Sequence, residues 1–157
     1  MQKPITKELN PSTNGPLKTA LLWAVLLLLI DRGFKMTAII YWSNHHLIII
    51  NGWQLTYSLN RYLAFSLPWS GWILNGFLSI LILGLTIYAS QAIKKQPVQS
   101  WGWLFLLAGA YSNLYDRLAY GGVIDYLTSW WTIFNLADLL IGLGLIALIW
   151  PKQKERL

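Results

Sequence analysis

Six acidic residues occur in this 157-residue chain, and four of them are aspartates set in or beside long apolar runs: Asp31, Asp116, Asp125 and Asp138. The other two, Glu8 and Glu155, lie in polar tails. A carboxylate in hydrocarbon costs about 3 kcal/mol on insertion scales, so it reads as functional unless a partner neutralises it. Two carboxylates brought together cannot both ionise easily and come to share a proton. One then takes a proton from a water attacking a peptide carbonyl, while the other protonates the oxyanion or the leaving nitrogen.

Other chemistries find less support. A serine nucleophile needs a base, and the only histidines, His45 and His46, are adjacent in one loop, where they read as interfacial or solvated. Consecutive residues seldom converge on one metal, and no third imidazole completes a set. With no cysteine there is neither a disulfide nor a thiolate site. The glycines form no phosphate-binding motif. No metal and no cofactor are expected.

Each aspartate also has a plainer reading. Asp31 and Lys35 are an i,i+4 pair in the favourable acid-first order, which fits a salt bridge. Asp116 adjoins Arg117 and lies one turn after Asn113, which fits a structural polar network at a helix end. Asp138 follows Asn135 by three residues, as an N-cap followed by a first-turn acid would. Asp125, in Gly121-Gly122-Val123-Ile124-Asp125-Tyr126, has no basic neighbour within four residues and could simply form a turn.

The elements that must position these groups are membrane spans. Charged residues make up 11% of the chain and mean hydropathy is +0.46, against roughly 25% charged for a soluble domain. Four stretches suit a bilayer crossing of about 20 residues: 17–42, 69–93, 101–120 and 134–150. Asp31, Arg32 and Lys35 interrupt the first, but no small-residue cleavage site follows Ile30, which argues against a secretory signal.

The net charge of +6 is placed for topology and not for nucleic acid. Lys3, Lys7, Lys18, Lys94, Lys95, Lys152, Lys154 and Arg156 fall on one side of a four-span frame, and Arg32, Lys35, Arg61 and Arg117 on the other. The positive-inside rule then puts both termini in the cytoplasm. Residues 1–16, rich in proline and polar side chains, read as a cytoplasmic arm, 151–157 as a cytoplasmic tail, and 121–133 as a short outer loop.

Between the first two spans, 43–68, the pattern changes. Trp53, Leu55, Tyr57 and Leu59 alternate with Gln54, Thr56, Ser58 and Asn60, after Ile48-Ile49-Ile50 and Asn51-Gly52. That spacing predicts a hairpin whose amphipathic face rests on the membrane surface. The fold class expected is an all-α membrane protein of four transmembrane helices with a small extracytoplasmic β-sheet between helices 1 and 2.

Four segments, in order, resemble the bacterial lipoprotein signal peptidases, or signal peptidase II. They are Ile30-Asp31-Arg32-Gly33-Phe34-Lys35; Asn60 to Leu67; Gly109 to Arg117 followed by Gly122-Val123-Ile124-Asp125-Tyr126; and Phe134-Asn135-Leu136-Ala137-Asp138. The resemblance implies a membrane aspartic endopeptidase with Asp125 and Asp138 as its catalytic dyad. It implies that Asn60, Asn113, Arg117 and Asn135 line the substrate site and that Asp31, Lys35 and Asp116 support it. It further implies substrates that are diacylglyceryl-modified prolipoproteins, cut before the lipidated cysteine, and a monomer surrounded by lipid at the outer face of the bacterial cytoplasmic membrane.

Tyr62 and Ser112 stand where that family has glycine, and the dyad residues are only 138 − 125 = 13 positions apart. Two other readings stay open: a small ion or proton pathway, which predicts a polar stripe across the whole bilayer, and a non-catalytic binding protein of the same fold.

Overall fold

Each of the four apolar runs forms a helix in the structure, a computed structural model that describes residues 15–43, 45–62 and 71–150. They are α1 (Gly15–Tyr41), α2 (Trp72–Lys95), α3 (Ser100–Tyr120) and α4 (Leu136–Ile149). Of the arm expected over 1–16, Gly15 and Pro16 belong to α1 and the rest, with most of the segment from Asn60 to Leu67, the first residues of the second run and the basic tail over 151–157, lies outside the described residues. A 3-10 turn, Pro97–Gln99, joins α2 to α3.

Among the described residues one helix, α2, is long and apolar enough by composition to cross a membrane. α1 and α3 carry Asp31, Arg32, Lys35, Asp116 and Arg117 in their C-terminal halves, and α4 is shorter, with 14 residues. The helices nevertheless present apolar side chains outward: Leu29, Ile80, Leu83, Leu143 and Ile149 are all exposed. Asp31, Lys35 and Asp116 are buried. This inside-out distribution is the reverse of a water-soluble bundle.

Small residues bring α3 and α4 together. A Cβ at Gly144 would fall 2.6 Å from the Leu106 backbone nitrogen, and one at Gly109 would collide with the Ala137 carbonyl. Such close backbone approach is how helices pack where water exclusion drives nothing.

The sheet is larger than the sequence pattern implies. β1 (Leu47–Ile50) and β2 (Trp53–Asn60) form the expected hairpin, with Gly52 at φ 84° and the Trp130 indole donating to the Asn51 carbonyl at 3.2 Å. Two further strands, β3 (Val123–Thr128) and β4 (Ile133–Phe134), come from the segment expected to be only a short outer loop. The result is one four-stranded antiparallel sheet in the order β1-β2-β3-β4. Val123, Ile124, Asp125 and Tyr126 are all buried, so β3 lacks the apolar-polar alternation that reveals a half-exposed strand.

The sheet sits on the end of α1. Ile124 and Tyr126 form a core with Ala38, and Leu55, Tyr57, Leu59 and Trp42 pack around it. Phe34 stacks on Tyr126 with ring centroids 5.3 Å apart.

Candidate active site

The site is assembled where β3 meets the start of α4. Asn135 caps that helix: its Oδ1 accepts from the Asp138 backbone N–H at 2.9 Å, and Asp138 Oδ2 accepts from the Asn135 backbone N–H at 3.2 Å. This reciprocal capping box satisfies two otherwise orphan donors and places an acid where the helix dipole favours it. The plainer reading of Asp138 as a first-turn acid is therefore correct as local structure.

The same Asn135 reaches the second carboxylate. Its Nδ2 donates to Asp125 Oδ1 at 2.6 Å, so one asparagine holds the Asp125 carboxylate through its side-chain amide and the Asp138 carboxylate through its backbone N–H. Asp125 lies in β3, paired with Ser58 of β2, and not in a turn. Its other oxygen accepts from Asn60 Nδ2 at 3.4 Å. Asp138 Oδ1 accepts from Asn113 Nδ2 of α3 at 2.8 Å.

Burial governs the electrostatics of Asp125. Only 4% of the residue is exposed, and its pKa is pushed up to about 7, first by desolvation and then by the charge of Asp138, against the amides of Asn135 and Asn60 and the ammonium of Lys35. Among the described residues no arginine or lysine pairs with it directly. Tyr126, next along β3, is held protonated by burial and then by Asp31. Its hydroxyl donates to Asp31 Oδ1 at 3.1 Å and accepts from the Leu136 backbone N–H at 3.0 Å.

Beside the site lies a buried ion cluster. Lys35 Nζ contacts Asp31 Oδ2 at 3.1 Å and Asp116 Oδ2 at 2.7 Å, and Arg32 contacts Asp116 Oδ1 at 2.6 Å. Asp31 also accepts from Ser112 Oγ at 2.5 Å and the Ala137 backbone N–H at 3.2 Å; Asp116 accepts from the Ile124 backbone N–H at 3.2 Å. The cluster thus ties α1, α3, β3 and α4 together.

The Asp31–Lys35 salt bridge expected from spacing is present. Asp116 lies in a polar network at the helix end, as its plainer reading has it, but the cations it pairs with are Arg32 and Lys35 of α1, while its neighbour Arg117 donates to the Tyr62 carbonyl at 2.7 Å. Side chains on one helical face need not pair with their sequence neighbours when a facing helix offers cations. Tyr62 is fitted by its backbone, its N–H donating to Asn60 Oδ1 at 3.1 Å.

Sequence reasoning did not single out Arg32, Ser112 or Tyr126 as members of this network. Ser112 lies one turn before Asp116 and beside Asn113, and Tyr126 adjoins Asp125, so adjacency to the aspartates was the available signal. A cleft of about 210 Å³ between α1 and α3 is walled by Arg32, Lys35, Met36, Ile39, Tyr115, Tyr120 and Ile124. Neither Asp125 nor Asp138 lines it, so it is not the place where these carboxylates would meet a peptide.

Residues 23–152 match the family model described as signal peptidase (SPase) II. The chain belongs to the signal peptidase II family. The matched region takes in all four apolar-run aspartates and the three asparagines that touch the carboxylate pair. Among signal peptidase II relatives, the lipoprotein signal peptidase of Syntrophomonas wolfei is 36% identical over 116 residues, 69% of this chain and 77% of that one. That of Dichelobacter nodosus is 34% identical over 131 residues, covering 74% and 84%. A solved structure described as a bacterial membrane enzyme, determined by the in meso method at 2.3 Å resolution, shares the fold. It superposes with a TM-score of 0.76 over 89% of this chain and 95% of that one, at 23% identity. This signal peptidase II family member is accordingly a bacterial membrane protein and a protease that removes signal peptides from prolipoproteins.

Proposed function

We propose that the chain performs this cleavage as an aspartic endopeptidase, with Asp125 and Asp138 as the reacting carboxylates and with diacylglyceryl-modified precursors, cut before the lipidated cysteine, as substrates. The observation that carries the reading is the pair itself. A buried carboxylate, Asp125, and a half-buried one, Asp138, meet at Asn135 and among the described residues receive only neutral donors directly, and Asp125 has a pKa of about 7 partly because of the charge of Asp138. A pair in that state holds one proton near neutral pH. One carboxylate accepts a proton from water as its oxygen attacks the scissile carbonyl carbon, and the other gives its proton to the carbonyl oxygen. When the C–N bond breaks, the first returns a proton to the leaving nitrogen and the second recovers one from the tetrahedral hydroxyl.

In this reading the four helices span the membrane with both termini cytoplasmic, and the sheet and the dyad stand at the outer face. The outward apolar side chains of α1 to α4 face lipid, and the precursor's acyl chains lie between helices. Asn60, Asn113, Arg117 and Asn135 line the substrate site. The arrangement gives an ion pathway little support, because the described charged groups of α1 and α3, apart from Lys18 at the start of α1, gather near the sheet, and α2 carries its only lysines, Lys94 and Lys95, at its far end.

The test is cleavage of a diacylglyceryl-modified precursor by the full chain in lipid or detergent. Asp125→Asn and Asp138→Asn should each abolish processing while the protein remains folded in the membrane. Full activity in either variant would end the dyad reading.

A further inference from the structure

Three asparagine amides face the carboxylate pair, and each has its oxygen pinned by a donor, which forces its NH2 toward a carboxylate. For Asn60 the pin is the Tyr62 backbone N–H, and for Asn135 it is the Asp138 backbone N–H. Asn113 alone is pinned by a side chain: Lys35 Nζ donates to its Oδ1 at 2.9 Å. Lys35 is 1% exposed and divides its three protons among Asp31, Asp116, Ser112 and Asn113. Were Asn113 to turn over, its carbonyl oxygen would face Asp138 Oδ1, an arrangement tolerable only if Asp138 were protonated.

The two carboxylates are also held unequally. Both oxygens of Asp138 accept from donors that cannot themselves accept a proton, Asn113 Nδ2 at 2.8 Å and the Asn135 backbone N–H at 3.2 Å. On Asp125, Oδ1 is held at 2.6 Å, whereas Oδ2 has only the long 3.4 Å contact from Asn60. Oδ2 of Asp125 is thus the oxygen left to carry a hydrogen.

Resting on the dyad reading, we propose that Lys35 is a positioning residue of the cleavage reaction: by fixing the Asn113 amide it keeps Asp138 ionised as the base and leaves the shared proton on Asp125. Asp138 then takes the proton of the attacking water, and Asp125 protonates the carbonyl oxygen. The other charged and titratable groups facing the pair are Asp31 from α1, Arg117 from α3, itself beside the charge of Asp116, and Tyr126 from β3. On α2 the ionisable side chains, Tyr88, Lys94 and Lys95, lie toward the C-terminal end.

The measurement is kcat/KM against pH for the full chain on a diacylglyceryl-modified precursor. Asn113→Leu, which leaves the ion cluster intact, should move the acid limb upward by about one pH unit, seen as a roughly ten-fold loss on that limb that higher pH restores. Lys35→Met should move the limb the same way, and the Lys35→Met/Asn113→Leu pair should move it no further. Because Lys35→Met leaves excess buried negative charge, the charge-balanced Lys35→Met/Asp31→Asn variant is measured beside it. A lysine that only supports the fold would lower the rate evenly at every pH. An acid limb unmoved in Asn113→Leu, or in whichever lysine variant folds, overturns the proposal; should neither fold, Asn113→Leu alone decides. Activity surviving Asp125→Asn or Asp138→Asn would remove the dyad reading beneath it, a distinct result.

Discussion

Two groups of aspartates lie side by side in this fold and are treated in opposite ways. Asp31 and Asp116 are fully buried, yet each is met by a cation and by further donors: Asp31 by Lys35, Ser112, Tyr126 and a backbone N–H, Asp116 by Lys35, Arg32 and a backbone N–H. Among the described residues, Asp125 and Asp138 are met directly only by amides. Cations compensate the charge of buried carboxylates, whereas neutral amides leave two neighbouring acids competing for one proton. On the proposed dyad reading, burial alone does not separate structural from reactive acids, and the charge of the partners does.

That contrast can be broken most forcefully through activity. Asp125→Asn or Asp138→Asn should lower kcat/KM by about 10³-fold or more while the protein stays folded in detergent. Asp116→Leu should do the converse. It leaves Lys35 and Arg32 with one carboxylate fewer, and breaking a buried pair by removing one partner costs about 3–5 kcal/mol. A lower melting temperature and poor recovery of folded protein are expected, and an Asp116→Leu protein as stable as the wild type would erase the distinction between the two groups.

A third measurement follows pH. The folded pKa of Asp125, about 7, lies above the unfolded value near 3.9, so between them the folded chain holds a proton that the unfolded chain has released. Stability attributable to Asp125 therefore falls as pH rises from about 4 to about 7, by at most about 1.4 kcal/mol per pH unit, and the cost is fully present above that range. Asp125→Asn cannot ionise there and should lose this slope, melting higher than the wild type at pH 8 while being inactive. A variant with the wild-type slope would show that Asp125 does not carry the proton.

Much of this contrast was legible in the sequence. Apolar length marked the four helices to within a few residues, and an acid-first i,i+4 spacing marked the Asp31–Lys35 bridge. Asn51-Gly52 between alternating runs marked the β1–β2 hairpin, and Asn135 three residues before Asp138 marked the α4 cap. What escaped was decided by contacts between elements. β3 is buried on both faces and short, so its pattern matched no strand period, and the fourth strand has only two residues. The partner of Asp116 is 84 positions away in Arg32, while its sequence neighbour Arg117 turns to Tyr62; no local spacing encodes that choice.

Arg32 gives the smallest expected effect and the finest probe of the cluster. Its side chain is 25% exposed, lies over the Tyr115 ring at 5.1 Å, and gives Asp116 one of three donors. Arg32→Gln leaves Asp116 with Lys35 at 2.7 Å and the Ile124 N–H at 3.2 Å, so the carboxylate stays charge-compensated. The loss should be about 1 kcal/mol, in the range of a partly solvated ion pair, with an unchanged pH profile of cleavage. If instead Arg32→Gln is as damaging as Asp116→Leu, Lys35 cannot neutralise Asp31 and Asp116 at once. The ammonium would then be committed to its own helix neighbour and to Asn113, and the cluster would rest on two separate pairs, Asp31 with Lys35 and Asp116 with Arg32.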